Sequence, residues 1–197
     1  MPQGLTSKGA ATRDRIIEGA AVLMRQSGAG VSLDEIREAT RTSKSQLFHY
    51  FPQGREQLLL AVARHEADQI LADQQPHLDD LTSWRSWHAW RNTVVARYRR
   101  QGRHCPLSVL LGQLAPDDEG ARTVTVDLLE RWHAKLAAGV RHMQDHELMT
   151  RGIDAERAAE ALLVSVEGGA LILISTGSVS PLETSLDLTL DQLRVRP

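Results

Sequence analysis

The 197-residue sequence predicts an all-α protein, a three-helix unit containing a helix-turn-helix followed by a larger helical domain. Three observations lead there. Apolar residues recur at spacings of three and four through most segments, the period of a helix with one buried face. Serine, aspartate, proline and glycine fall where those segments begin and end, as caps and breakers. No stretch keeps the strict alternation of a half-buried strand.

The elements follow in order. "TRDRIIEGAAVLMRQSG" places Ile16, Ala20, Leu23 and Met24 on one helical face, with Gly28 as its stop. "SLDE" at 32–35 is a capping box, in which the Ser32 hydroxyl accepts from the amide of Glu35 while the Glu35 carboxylate reaches back. Leu33, Ile36 and Ala39 make a short apolar face, "TRT" at 40–42 interrupts it, and Ser43 caps a helix running to about Tyr50 before Pro52. Two short helices about a tight turn form a helix-turn-helix. After the loop "PQGRE", a helix from near Arg55 to about Gln74 buries Leu58, Leu59, Val62, Ala63, Ile70 and Leu71. Further helices are expected over roughly 81–102, 106–114, 118–147, 154–175 and 182–194, with a frayed tail "VRP".

Composition narrows the function. Hydrophobic residues at 42% and charged residues at 24% are ordinary for a soluble globular chain. The longest apolar run, "GGALILI", falls short of the roughly 20 residues of a membrane span, and the N-terminus lacks a secretion signal, so no membrane is expected as a partner and a cytoplasmic location is. The single cysteine, Cys105, excludes an internal disulfide framework and a multi-cysteine metal cluster. Residues 1–55 hold eight Lys/Arg against five Asp/Glu, whereas residues 56–197 hold fifteen against twenty. Only the N-terminal part suits a polyanion.

"SKSQLFHYF" at 43–51 lies in that part and contains both phenylalanines of the chain. On a helix, Leu47 and Phe51 share one face, and Lys44, Ser45, Gln46 and His49 spread over the others. Lysine can meet phosphate or guanine, glutamine can pair with adenine, Thr42 and Ser45 can donate to phosphates or base edges, and His49 can reach the backbone. Arg55, at the start of the next helix, adds a cation beside helix-terminal amides suited to phosphate. Helical proteins also contain many short helix pairs that bind nothing, so a solvated pair is the competing reading.

Over about residues 12–64, "GVSLDEIREATRTSKSQLFHYFPQGREQLLLAV" closely resembles the DNA-binding segment of the TetR/AcrR family of transcriptional repressors. The family's turn and recognition helix run close to "AGVSKGTLYHYF", which Ser43, Lys44, Leu47, His49, Tyr50 and Phe51 match. "FPQGREQLL" is similar to the "FPGGKEEL" of the LmrA/YxaF-like branch, with Arg55 for its lysine. The resemblance implies a DNA-binding domain over 1–54 and a helical ligand-binding and dimerisation domain over 55–197. It adds Ser32, Ser43 and Tyr50 to the expected DNA contacts. It also implies a homodimer that leaves a pseudo-palindromic double-stranded operator when a small effector enters the second domain. Three departures stand out. Arg41 replaces a turn glycine, so the turn either avoids positive φ or carries strain. Phe48 replaces a tyrosine that commonly contacts phosphate, and Gln46 replaces a small residue at a position that can face bases.

In the second domain, "WRSWHAW" sets Trp84, Trp87 and Trp90 at intervals of three, with Tyr98 beyond. Such spacing marks a helix core, and large rings with polar handles also suit the wall of a pocket for a hydrophobic or aromatic ligand. "RHCPLSVLLGQL" resembles the branch's "GCPLGSLAAEL", which lines a ligand cavity, so Cys105, Leu107, Leu110, Leu111 and Leu114 join the pocket candidates, with Trp132 from the next long helix. The small residues of "ERAAEALLVSVEGGALIL" permit close helix approach within the chain or between two chains, and the family places the two last long helices in a dimer interface. His142 and His146, four apart, lack further ligands for a metal site, and no cofactor motif appears. No nucleophile elbow, phosphate loop or paired-carboxylate site is present, so no enzyme activity is expected. The rival readings are a helical ligand-binding module without DNA recognition and a small helical enzyme using Cys105 or the histidine pair.

Overall fold

The computed structural model describes residues 6–27, 30–103, 105–111, 114 and 118–195, without the side chains of residues 108, 109 and 111. The α-helices are α1 (Ser7–Ser27), α2 (Leu33–Ala39), α3 (Lys44–Tyr50), α4 (Arg55–Ala72), α5 (Trp84–Gln101), α6 (Pro106–Leu111), α7 (Glu119–Asp145), α8 (Ala155–Thr176) and α9 (Ser180–Gln192). A short 3₁₀ turn covers His77–Asp79. Among the described residues the only β pairing is an isolated bridge between Met149 and Arg194. The expected stop at Gly28, the side chain of Leu111 and the end of the tail lie outside the described residues.

The chain forms two compact units. The first comprises residues 1–68 and 106–125, the second 69–105 and 126–197. In the first, Ile16, Ile17, Ala20, Ala21 and Met24 of α1, Ile36 of α2, Leu47 and Phe51 of the α3 region, and Leu58, Leu59, Val62 and Ala63 of α4 are all buried. α1 starts earlier than its apolar pattern, because Thr6 caps it: the Thr6 hydroxyl accepts from the Gly9 amide at 3.2 Å. Gly19 lets α1 approach α2, since any side chain there would strike the methyl of Thr40. Arg25 of α1 forms an ion pair with Glu66 of α4, whose side chain is only 5% exposed. A carboxylate so far from water needs that partner.

In the second unit, Trp87, Trp90, Val94, Val95 and Tyr98 of α5 are buried, as are Leu128, Trp132, Leu136, Val140 and Met143 of α7. α8 contributes Ala158, Ala159, Leu162, Val166, Ala170 and Leu173, and α9 adds Leu182, Leu186 and Leu190. α8 and α9 pack closely because Gly169 has no Cβ, and one built there would lie 2.5 Å from the Cα of Leu182. Pro181 falls within the first turn of α9, where its missing N–H costs nothing, so that helix begins slightly before the expected 182. α8, with 22 residues, is long and apolar enough to cross a membrane by length and composition alone, a test that a core helix also passes, so the expectation of no membrane partner is not overturned. Polar interruptions hide this in the sequence, where only "GGALILI" stands out as an unbroken run.

Candidate nucleic-acid interface

The interface is built from three local devices in the first unit. The first is the start of α2. Ser32 has an extended backbone, its hydroxyl accepts from the Glu35 amide at 3.2 Å, and the Glu35 carboxylate accepts from the Ser32 hydroxyl at 2.6 Å and amide at 2.8 Å. The Ser32 hydroxyl bond, then the backbone bond, holds the Glu35 carboxyl below its ordinary range. Ser32 is exposed but its hydroxyl is committed to the cap.

The second device is the turn. The Thr42 amide donates to the Arg37 carbonyl at 2.9 Å and the Arg41 amide to the Glu38 carbonyl at 3.1 Å, the paired bonds of a Schellman helix ending. That motif requires a left-handed residue just past the cap, and Arg41 supplies it with φ 50°. A residue with a Cβ pays about 1–2 kcal/mol in this region, so the turn carries the strain foreseen as one alternative. The neighbours enforce it. Thr40 donates from its hydroxyl to the Ile36 carbonyl at 2.7 Å, and the Thr40 carbonyl accepts from Arg15 and, at 3.2 Å, from the Thr42 hydroxyl. Thr42 is therefore corrected as a groove-facing residue: it is 4% exposed, its hydroxyl engaged with Thr40. A residue next to an N-cap reads as exposed in sequence, but this one closes the turn from inside.

The third device is α3 itself. Ser43 caps it, accepting from the Gln46 amide at 3.1 Å, while the Gln46 side-chain oxygen accepts from the Ser43 amide at 3.2 Å. Leu47 and Phe51 are each 1% exposed and fix the helix to the unit, with the Arg13 guanidinium 5.5 Å from the centre of the Phe51 ring. Lys44, Ser45, Gln46 and His49 are exposed, together with Ser43. Tyr50 is half-buried, its ring set edge-on against His49 at 4.9 Å. Phe48 is 40% exposed, an aromatic edge among polar side chains. Gln46 must leave its cap before it can use both amide atoms on a base. Arg55 is half-buried and donates over 3.5 Å to the Val31 carbonyl, so it is engaged within the unit.

The expected ligand residues are divided between the units. Leu107 and Leu110 are buried in the first, and the tryptophans, Tyr98 and half-buried Cys105 belong to the second. Trp87 and Trp90 meet edge to face at 5.7 Å, and the Trp90 indole donates to Gln74 at 2.7 Å. Trp84 is half-buried, donating to the Leu148 carbonyl at 3.0 Å beneath the Arg194 guanidinium. The indole N–H groups of Trp87 and Trp132 are buried without an acceptor. Burial, then the charge of Glu167, pushes the Tyr98 phenol far up, so it stays a neutral donor. His142 and His146 stack at 4.2 Å, and among the described residues no cluster of three or more His, Cys, Asp or Glu could hold a metal ion.

Residues 16–62 match the family of bacterial regulatory proteins described as the tetR family. An uncharacterised HTH-type transcriptional regulator from the lacX 3′ region of Lactococcus lactis subsp. lactis is 24% identical over 189 residues, covering 90% of each chain. The fold is also that of a TetR-family regulator from Cytophaga hutchinsonii, with TM-score 0.77, 18% identity and coverage of 98% of this chain and 99% of that one. A transcriptional regulator from Saccharomonospora viridis, solved in complex with choline, gives TM-score 0.70 at 18% identity, covering 95% and 100%. These likenesses are to transcription regulators rather than to enzymes.

Proposed function

We propose that this chain, a TetR-family transcriptional regulator with an N-terminal DNA-binding domain, is a homodimeric repressor in the cytoplasm that a small hydrophobic effector releases from a pseudo-palindromic operator. The observation that carries the reading is α3, where buried Leu47 and the buried C-cap Phe51 leave Lys44, Ser45, Gln46 and His49 exposed on a helix begun by a capping box. Such a helix, entering the major groove by its first turns, reads base edges while the preceding helix crosses the backbone. In this reading the functional division lies at residue 54, inside the first compact unit, with DNA recognition before it and effector binding and dimerisation after it. The motifs "FPQGREQLL" and "HCPL" support a place in the LmrA/YxaF-like branch.

The dimer reading is supported by α8, where Val164 is 69%, Leu171 65% and Ile172 42% exposed on one apolar face. A second copy covering it by symmetry would remove that surface from water and space two recognition helices for one operator. The effector reading is supported by the unpaired donors of Trp87 and Trp132, because a buried N–H without an acceptor costs free energy that a ligand oxygen or nitrogen would recover. The Saccharomonospora neighbour, solved in complex with choline, supports a protein of this fold taking a small molecule.

Selection of bound sites from random duplex DNA, followed by affinity measurements from 50 to 200 mM salt, tests the reading. We expect a pseudo-palindromic site, half-sites about 34–36 Å apart and a steep loss of affinity with salt. A dimer that binds a hydrophobic small molecule but no duplex would instead identify a ligand-binding module without DNA recognition.

A further inference from the structure

The turn between α2 and α3 contains an arginine in a conformation that glycine adopts freely, and nothing in the folded chain rewards the arginine for it. Arg41 is exposed, and its guanidinium has no acidic or carbonyl partner among the described residues. Its neighbours are otherwise occupied: Arg37 pairs with Asp34, and Arg15 donates to the Thr40 carbonyl. The backbone bonds of the turn would be the same with glycine, since they use only main-chain atoms of residues 37, 38, 41 and 42. A strained residue kept without an internal contact points to a role outside the chain.

The location says which role. Arg41, Thr42 and Ser43 line one open depression of about 630 Å³ with Asp34, Arg37 and Glu38, so the guanidinium shares a surface with the cap of α3. In a helix-turn-helix the first helix crosses the sugar-phosphate backbone and the second enters the groove. A side chain on the turn that joins them lies between those two tasks. Arginine there offers a planar fork that grips a phosphate through two hydrogen bonds.

Resting on the DNA-binding reading above, we propose that Arg41 is a phosphate anchor of the operator complex, its exposed guanidinium gripping the backbone beside the cap of α3. Arg55 and Thr42, engaged inside the unit, are poorer candidates for that contact.

Three full-length variants test this against the selected operator and an unrelated duplex. Arg41→Gly should melt a few degrees higher than the parent, because strain is relieved. The same variant should bind both duplexes about threefold to tenfold more weakly, with a salt slope shallower by about 0.9 for each protomer of the bound dimer. Arg41→Asn, which tolerates left-handed backbone without a charge, should lose DNA affinity equally. Arg41→Lys should keep the salt slope. If the parent binds no duplex at any salt, the DNA reading itself falls. If the parent binds and the Gly and Asn variants keep its affinity and slope, the anchor is refuted while the DNA reading stands. A loss confined to one base position would also overturn the phosphate assignment.

Discussion

α3 and α8 solve opposite surface problems. α3 has seven residues and hides only Leu47 within its own length, leaving hydrogen-bonding side chains in water. α8 has 22 residues, hides eight, and still leaves Val164, Leu171 and Ile172 in water. An exposed polar face suits a polar, hydrated partner whose identity is read bond by bond. An exposed apolar face suits a partner that excludes water, and self-association is the simplest source of a matching one. One chain thus presents an exposed polar face, the specific surface of the proposed function, and an exposed apolar one, its adhesive surface, in separate compact units.

The largest effect is expected in the core of the second unit. Trp132 is fully buried, and Trp132→Ala should cost about 3–5 kcal/mol of stability, read by denaturant unfolding. Trp132→Phe keeps most of the volume and removes the unpaired N–H, so it should cost far less while blunting the effector response. If the alanine variant unfolds at the parental midpoint, the ring is not the packing centre of the second unit.

Next in size is the adhesive face itself. In the dimer proposed above, Leu171→Glu would place a charge in the interface and should weaken dimerisation by about 3 kcal/mol or more, seen as monomers in sedimentation at micromolar concentration. Gly169 and Ala170 are buried, and Gly169 lies against Leu182 of the same chain, so charged substitutions there should unfold the unit rather than separate two folded chains. A Leu171→Glu protein that remains a tight dimer would move the interface to another face.

On the specific surface the expected effects are smaller. Lys44→Ala should weaken operator binding by about 1–3 kcal/mol if the ammonium meets guanine, with relaxed preference at one base position. If it meets phosphate, the loss should be uniform across sequences and the salt slope should fall by about one for each bound protomer. Unchanged affinity in a folded protein removes Lys44 from the interface.

Much of this was legible in the sequence because local chemistry decided it. Ser32 with Glu35 and Ser43 with Gln46 form capping boxes, which need only residues three apart, and the apolar stripes of α4, α5 and α7 follow the helical period. The misses share a cause. The turn is a Schellman ending whose usual signal, glycine, is absent, so Arg41 gave no notice of which alternative held. Thr42 turned inward because Thr40 and Arg15 organise the turn through contacts spanning up to 25 residues. The start of α1 is polar and lacks the periodicity that reveals a helix. The unpaired indoles of Trp87 and Trp132 depend on where acceptors lie in three dimensions, which spacing along the chain does not encode.

The smallest effect expected separates the units by pH. The Glu35 carboxyl is depressed by its bonds to Ser32, so its contribution to α2 is present above the ordinary carboxylate value and fades as pH falls through the lower folded value. Glu35 is fully exposed, so the contribution is slight and confined to the start of α2 rather than to the whole fold. Ser32→Ala removes the leading cause, and should return the Glu35 titration toward the ordinary glutamate range while loosening α2 already at neutral pH. Carboxyl titration by NMR, with amide exchange across α2, reads both effects at once. Parental titration in the Ser32→Ala protein would show that the cap is not what holds Glu35 ionised, and that the α2 end of the specific surface is set by something other than its capping box.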